Sequence, residues 1–215
     1  MKIGVFDSGK GGLSFVRAIK KALPNDEVIF ASDIDHLPYG TKSPKEIFTY
    51  VLPILKDLEH QGCKVIVVAC NTVSTTLINK LRPEVNVPLI AVEPMVKTAS
   101  NITKSGIAAV CATPTTLKSD RYNQLKKLYA NNLSVLEPDC STWADMIEDN
   151  NVDRKVIQKE IDEVIDQGAD VIVLGCTHYH WIEQLIKDIT LNKAKVIQPE
   201  PAVINQLKRV LSQLG

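Results

Sequence analysis

The sequence feature that most constrains the fold is an internal repeat of twelve residues. Gln61–Thr72 (QGCKVIVVACNT) and Gln167–His178 (QGADVIVLGCTH) agree at six of their twelve positions, at an offset of 106 residues. In both copies a short run of Val, Ile or Leu ends two residues before a cysteine, which is Cys70 in the first copy and Cys176 in the second. A continuous apolar run of this length is typical of a strand that is buried on both faces. The repeat therefore predicts two similar α/β lobes, each presenting one cysteine where a strand ends.

The rest of the chain alternates between short β-rich runs and segments with helical periodicity. In Asp153–Gln167, for example, apolar residues recur at spacings of 3, 4, 7 and 8. Strands are predicted at Lys2–Phe6, Glu27–Ala31, Val65–Ala69, Leu89–Val92, Gly106–Cys111, Ser134–Glu137, Val171–Gly175 and Lys195–Ile197. Helices are predicted at Leu13–Leu23, Pro44–Gln61, Thr75–Arg82, Thr116–Ala130, Trp143–Asn150, Asp153–Gln167, Trp181–Ile189 and Ala202–Leu214. This alternation indicates mainly parallel sheets flanked by helices.

The predicted architecture is α/β, with two pseudo-symmetric lobes and an active site in the cleft between them. The first lobe spans residues 1–94 together with the C-terminal helix 202–215, and the second spans 95–201. Ligands of open α/β sheets bind outside the carboxyl ends of the strands. The polar segments that follow predicted strands are Asp7–Gly9, Cys70–Thr72, Thr113 and Cys176–His178. We expect these segments to meet in one cleft, with a cysteine on each wall.

The composition of the chain argues against nucleic acid and membranes as partners. The 25 basic and 25 acidic residues give a net charge of zero, so there is no electrostatic argument for nucleic acid or an anionic membrane. No apolar run approaches the roughly 18 residues that a membrane span needs. The N-terminal sequence MKIGVFDSG is interrupted too early for a signal peptide. These features predict a soluble cytoplasmic protein.

The five cysteines do not form a recognisable metal or disulfide pattern. Their number is odd, no CxxC is present and their spacings are wide, which argues against a disulfide framework or a zinc knuckle. Cys63 and Cys111 are interpreted as core residues, whereas the repeat singles out Cys70 and Cys176. A metal site using Cys176, His178 and His180 would lack an evident further ligand.

Each candidate motif has a structural and a functional interpretation. Asp7–Gly12 (DSGKGG) is either a glycine-rich turn with a helix cap or an anion site, for which a carboxylate fits better than a nucleotide because GxGxxG is absent. The polar run after Cys70 is either an ordinary cap or a helix N-terminus that lowers the pKa of the thiol. His178 either packs structurally or activates Cys176. Tyr39 lies in a Pro-Tyr-Gly turn and could offer its hydroxyl to a ligand.

Two thiols on opposite sides of a small cleft suit the inversion of a stereocentre. One thiolate removes a proton from a carbon acid, and the other thiol delivers a proton to the opposite face. A redox pair is the competing hypothesis, but a disulfide needs Cα atoms within about 7 Å of one another. Strand ends on separate lobes need not approach so closely.

Four motifs, taken together and in order, resemble those of a known family. IGVFDSGKGGLS (3–14), PYGTKS (38–43), VACNT (68–72) and LGCTHY (174–179) are similar to segments of the glutamate racemases, in the cofactor-independent aspartate/glutamate racemase superfamily. The resemblance implies an isomerase of two α/β lobes that encloses glutamate and uses neither pyridoxal phosphate nor metal. It implies a role in supplying D-glutamate for peptidoglycan, and hence for cell wall and cell shape, and leaves a homodimer open.

The resemblance also implies a role for individual residues. Cys70 is expected to act on the α-proton of the D-enantiomer and Cys176 on that of the L-enantiomer, assisted by Asp7 and His178. A looser match of CSTWADMIE (140–148) makes Glu148 a third catalytic carboxylate. The residues implied to hold the polar groups of the substrate are Asp7, Ser8, Tyr39, Gly40, Asn71, Thr72, Thr113, Thr116, Thr177 and His178.

Several positions depart from the family pattern without touching the two thiols. The sequence has Ala112 where Gly is usual, His36 where Arg often precedes Pro-Tyr-Gly, and Ser141 and Asp145 where proline is common. Residues 198–201 (QPEP) also differ from the family's segment after the last strand. The alternatives are a racemase of aspartate or another amino acid, and a non-catalytic binding or regulatory protein on the racemase scaffold.

Overall fold

The computed structural model describes residues Met1–Leu214, which divide into two compact units. The first unit contains Met1–Val92 and the residues from Glu200 onward, and the second contains Glu93–Pro199. Each unit is built on a parallel sheet flanked by helices. The prediction of an α/β protein with two lobes is therefore confirmed.

The two units contain the following elements. The strands are β1 (Lys2–Asp7), β2 (Glu27–Ser32), β3 (Val65–Val68), β4 (Leu89–Ala91), β5 (Ile107–Cys111), β6 (Ser134–Leu136), β7 (Val171–Leu174) and β8 (Lys195–Ile197). The helices are α1 (Leu13–Ala22), α2 (Pro44–His60), α3 (Asn71–Leu81), α4 (Val96–Ile102), α5 (Pro114–Lys118), α6 (Asp120–Tyr129), α7 (Trp143–Glu148), α8 (Arg154–Asp166), α9 (Glu183–Thr190) and α10 (Glu200–Leu214). Short 3₁₀ helices span Ile34–His36, Tyr39–Thr41, Arg82–Glu84 and Thr177–Ile182.

The sheet of the first unit has the strand order β2-β1-β3-β4. Its inner strand β3 is buried on both faces, because side chains alternate between two apolar layers. Val65 and Val67 pack towards α1 and α10, and Ile66 and Val68 pack towards α2 and α3. The two-sided burial explains why the sequence of this strand is uniformly apolar.

The sheet of the second unit repeats this plan with the order β6-β5-β7-β8. Ile172 and Leu174 of β7 pack in the layer that contains α7, α8 and α9, whereas Val171 and Val173 face the layer with α4 and α6. Within each sheet, the strand that precedes the repeated cysteine occupies the same position. The internal repeat of the sequence is therefore a repeat of topology.

The predicted elements agree with the structure except at several helices. All eight predicted strands are confirmed to within one residue at each end. The predicted start of α3 at Thr75 is wrong, because the helix begins at Asn71. The predicted helix Thr116–Ala130 is two helices, since Ser119 has an extended backbone and its hydroxyl accepts a hydrogen bond from the Tyr122 N–H. The last turns before α9 are 3₁₀, and α4 was not predicted. No helix within Met1–Leu214 is long and apolar enough to cross a membrane.

Candidate active site

Asp7 is a fully buried carboxylate at the end of β1. The backbone N–H of Gly12 donates a hydrogen bond to its Oδ2 at 2.7 Å. Gly12 is the N-cap residue of α1, so the carboxylate lies at a helix N-terminus, where a negative charge is favoured. A Cβ atom at Gly12 would lie 2.6 Å from the Cβ of Asp7. The absence of a side chain at Gly12 is therefore what allows the loop to close over Asp7.

Replacing Gly12 by alanine is expected to lower the free energy of unfolding by about 1–3 kcal/mol, because the new methyl group must displace Asp7 or Phe30 from a packed site. Urea denaturation would measure the change. Lys20→Ala, at an exposed position of the same helix, is the control and should stay within about 0.5 kcal/mol of the unmodified protein. An unchanged stability for Gly12→Ala would contradict this account of the loop.

Cys70 lies beside Ser8 because of the register between β1 and β3. Phe6 pairs with Val68, and two residues further along each chain the Ser8 Oγ lies 3.4 Å from the Cys70 Sγ. Both residues are buried. Cys70 is the N-cap residue of α3, so its thiol stands where the helix dipole stabilises a thiolate. The earlier start of α3 places this thiol closer to the helix N-terminus than the sequence predicted.

Asn71 carries a buried amide whose hydrogen-bonding capacity is unused within Met1–Leu214. Neither its Oδ1 nor its Nδ2 has a partner, although the residue is only 3% exposed. Leaving such a group unsatisfied costs about 1–3 kcal/mol per atom. A ligand with one acceptor and one donor would recover part of that cost beside Cys70. Thr72 on the first turn of α3 is also buried.

Tyr39 is buried in the one-turn 3₁₀ helix Tyr39–Thr41, and Gly40 beside it is exposed. The Tyr39 hydroxyl donates a hydrogen bond to Asp33 Oδ2 at 2.5 Å. Burial and this carboxylate raise the pKa of Tyr39 well above its usual range, and the charges of Cys70 and Asp7 raise it further. The hydroxyl proton is thus already used by Asp33, a residue that the sequence analysis missed. The Asp-x-x-His spacing of Asp33 and His36 was the available signal.

In the second unit, three side chains form a chain of polar contacts. Cys176 Sγ lies 3.8 Å from His178 Nδ1, and His178 Nε2 lies 2.7 Å from Glu148 Oε2. Cys176 and His178 are buried, and Glu148 is half-buried at the C-terminal end of α7. An imidazole between a thiol and a carboxylate can accept a proton at one nitrogen while the carboxylate stabilises the positive charge at the other.

Packing around Tyr179 holds Cys176, His178 and Glu148 in contact. Tyr179 donates its hydroxyl to the backbone oxygen of Cys140 at 2.8 Å, and its ring meets Trp143 edge-on with centroids 5.2 Å apart. Both contacts fix the start of α7, whose last residue is Glu148. Gly175, just before Cys176, is also constrained, since a Cβ there would lie 3.0 Å from the Cβ of Ala112.

The remaining candidates lie on the neighbouring strand end. β5 pairs with β7, so the residues after Cys111 run beside those after Leu174. Thr113 caps α5, and its hydroxyl lies 3.1 Å from that of the buried Thr116. Thr177 is buried next to Cys176.

The structure thus gathers the candidate residues into two groups, one in each unit. The group at the ends of β1 and β3 contains Asp7, Ser8, Asn71 and Thr72 around Cys70, with Tyr39 nearby. The group that contains Cys176 includes Thr113, Thr116 and Thr177, which follow β5 and β7, and His178, which contacts both Cys176 and Glu148 at the end of α7. Across residues 1–214, no group of three or more His, Cys, Asp or Glu side chains is arranged to hold a metal ion.

Known proteins are similar in sequence to this chain over nearly its whole length. The family described as Asp/Glu/Hydantoin racemase matches residues 3–207. A glutamate racemase of Pseudomonas aeruginosa is 37% identical over 215 residues, covering 98% of this chain and 81% of that protein. A glutamate racemase of Methylococcus capsulatus is 36% identical over 217 residues, covering 99% of this chain and 80% of that protein.

Solved structures show the same similarity. Escherichia coli glutamate racemase in complex with L-glutamate and the activator UDP-MurNAc-Ala superposes with a TM-score of 0.91 at 27% identity, covering 98% of this chain and 82% of that chain. Francisella tularensis glutamate racemase in complex with D-glutamate gives a TM-score of 0.81 at 32% identity, covering 99% and 81%. Picrophilus torridus aspartate racemase shares the fold, with a TM-score of 0.63 at 20% identity.

Proposed function

Because this chain belongs to the Asp/Glu/Hydantoin racemase family, we propose that it is a glutamate racemase, an isomerase that interconverts L- and D-glutamate without pyridoxal phosphate. The observation that carries the proposal is the pair of buried strand-end thiols, each in contact with a polar side chain. Cys70 contacts Ser8, and Cys176 contacts His178. A protein that only binds an amino acid needs neither thiol.

The proposed reaction removes a proton from one face of the α-carbon and adds a proton to the opposite face. With L-glutamate, the Cys176 thiolate removes the α-proton, so that an S–H bond forms and a carbanion-like species remains. The Cys70 thiol then donates its proton to the opposite face, which forms the C–H bond of D-glutamate. With D-glutamate the two cysteines exchange roles.

The neighbouring side chains prepare the thiols for these steps. His178 Nδ1 takes up the proton of Cys176, and Glu148 stabilises the resulting imidazolium through Nε2. On the other side, the buried Asp7 assists proton transfer at Cys70. Each thiol thus has its own acid–base partner, in keeping with the need for one thiolate and one thiol in every turnover.

The weak acidity of the α-proton sets the main energetic problem. Charge develops on the α-carbon and its carboxylate in the transition state, so donors fixed around that carboxylate lower the barrier most. The first turn of α3, the unpaired amide of Asn71 and the hydroxyls of Thr72, Thr113 and Thr177 supply such donors. Ser8, Tyr39, Gly40 and Thr116 complete the proposed set of binding residues, to which Asp7 and His178 also belong.

The biological setting follows from the proposed substrate. D-glutamate made in the cytoplasm would enter peptidoglycan, so we place the enzyme in cell-wall synthesis. Its substrate is a small amino acid, and the balanced charge of the chain gives no reason to expect nucleic acid. The homodimer that the resemblance leaves open can be decided by light scattering on the purified protein.

The direct test is proton NMR of L-glutamate incubated with the protein in D₂O, followed by chiral chromatography. The α-proton signal is expected to disappear while D-glutamate accumulates to an equal mixture. L-aspartate in a parallel sample should react far more slowly; faster loss of its α-proton would favour the aspartate racemase instead. If neither amino acid reacts but glutamate still binds, the protein is a binding protein on the racemase scaffold.

A further inference from the structure

Four side chains of the first unit form a connected group outside the reacting residues. Asp33 Oδ2 accepts the hydroxyl of Tyr39 at 2.5 Å, and Asp33 Oδ1 lies 2.6 Å from His36 Nδ1. The His36 ring stacks on Tyr50, with centroids 3.8 Å apart and an interplanar angle of 9°. We refer to Asp33, His36, Tyr39 and Tyr50 as the Asp33 cluster.

The cluster joins separate elements of the first unit. Asp33 directly follows β2, His36 ends one 3₁₀ helix, Tyr39 begins the next, and Tyr50 belongs to α2. The Asp33 cluster therefore holds the segment between β2 and α2 at both ends and in its middle. This is the segment that carries the Pro-Tyr-Gly turn.

The burial of Asp33 depends on the partners of its two carboxylate oxygens. Asp33 is 7% exposed and Tyr39 is 3% exposed, and a carboxylate is costly to bury unless it is hydrogen-bonded. Here each carboxylate oxygen has a partner, and bonds to an ionised acceptor are stronger than neutral ones. Tyr39, the aromatic residue that Asp33 holds, packs in the same buried cluster as Phe6 and Cys70, so it lies near the proposed reacting thiol.

We propose that Asp33 is a positioning residue for racemisation: it fixes Tyr39 beside Cys70 and so holds the turn Pro38–Thr41 where it contacts the substrate. His36 supports Asp33 from the other oxygen, and Tyr50 supports His36 by stacking. Asp33 itself does not touch the substrate. This inference rests on the proposed function, because the turn is a substrate contact only if the protein binds glutamate.

A double-mutant cycle of Asp33→Asn and Tyr39→Phe tests the proposal. Each single substitution is expected to raise the KM for glutamate about tenfold, with a smaller change in kcat, because one charge-assisted hydrogen bond is lost. The double variant should be no worse than the weaker-binding single variant, since Asp33 acts through the Tyr39 hydroxyl. Asp35→Asn, an exposed carboxylate two residues away, is the matched control. Additive losses, or an unchanged KM for Asp33→Asn, would overturn the proposal.

His36 provides a second set of variants with little risk to folding, since its side chain is 42% exposed. His36→Ala is expected to raise the KM several-fold, whereas His36→Asn should restore most of the affinity because its amide can donate to Asp33. Equal effects of the two substitutions would contradict a role through Asp33.

Amide hydrogen exchange without substrate separates the two proposals. Exchange in the peptide 34–43 should rise in Asp33→Asn and His36→Ala but not in Asp35→Asn. Unchanged exchange in all variants would overturn the role of Asp33 as the anchor of the turn. If the unmodified protein does not racemise glutamate, the proposed function fails, and the exchange result still decides whether Asp33 holds the turn.

Discussion

Replacing either Cys70 or Cys176 by serine is expected to lower kcat for glutamate racemisation by about 10³-fold or more. General acid–base groups contribute about 10²–10⁴-fold, and a serine hydroxyl is far too weak an acid to supply an anionic base near neutral pH. Both directions should be lost together in each variant, because every turnover needs one base and one acid. Chiral chromatography of reactions started from L- and from D-glutamate measures this.

The matched control is Cys63→Ala. Cys63 is a buried core thiol whose pKa is raised by burial, so it stays protonated and takes no part in proton transfer. Its substitution should leave kcat within a few-fold of the unmodified enzyme, after correction for stability. Near-normal turnover by Cys70→Ser or Cys176→Ser would refute the two-thiol mechanism.

The hydrogen isotope at the α-carbon of the product and of the remaining substrate tests the same mechanism without any substitution. In D₂O the thiol that delivers the new proton has exchanged with solvent before the substrate binds. Early product should therefore be deuterated at the α-carbon, while the remaining substrate keeps its proton. Rapid deuteration of the remaining substrate would indicate one base that acts on a single face.

The strands were predictable because both copies of the repeat are buried on two faces. Val65–Val68 and Val171–Leu174 have no solvent-facing positions, so their sequences are uniformly apolar and stand out from their surroundings. The start of α3 was not predictable in the same way, since the Asn and Thr residues after Cys70 favour caps as well as first turns. α4 has few strong helix formers and is stabilised by the packing of Val96 and Ala99.

In the candidate site, too, residues close in sequence were predictable, whereas contacts between distant residues were not. The repeat identified the two cysteines, and the spacing of Cys176 and His178 indicated their contact. The contact between Glu148 and His178 spans 30 residues and depends on how Tyr179 packs against Trp143. Asp33 was missed because a single Asp after a strand looks like an ordinary turn residue. Only the packed structure shows that it accepts the Tyr39 hydroxyl.

Substitution of His178 by asparagine is expected to lower kcat by about 10²–10³-fold, since asparagine cannot take a proton from Cys176. Glu148→Gln should cost about tenfold, because the imidazole keeps a hydrogen-bond partner but loses the negative charge that stabilises its protonated form. Asp149→Asn, an exposed neighbour of Glu148, is the control and should leave kcat unchanged. Initial rates over a range of L- and D-glutamate concentrations would measure kcat and KM in each direction.

The two directions of this reaction are linked by thermodynamics. Enantiomers have equal free energy in solution, so the equilibrium constant is one and any substitution must change kcat/KM equally in both directions. An effect specific to Cys176 can therefore make kcat differ between L- and D-glutamate only if KM differs between them by the same factor. Because Glu148 acts through His178, the double variant should match His178→Asn alone. Independent, multiplying losses would show that Glu148 reaches the substrate by itself.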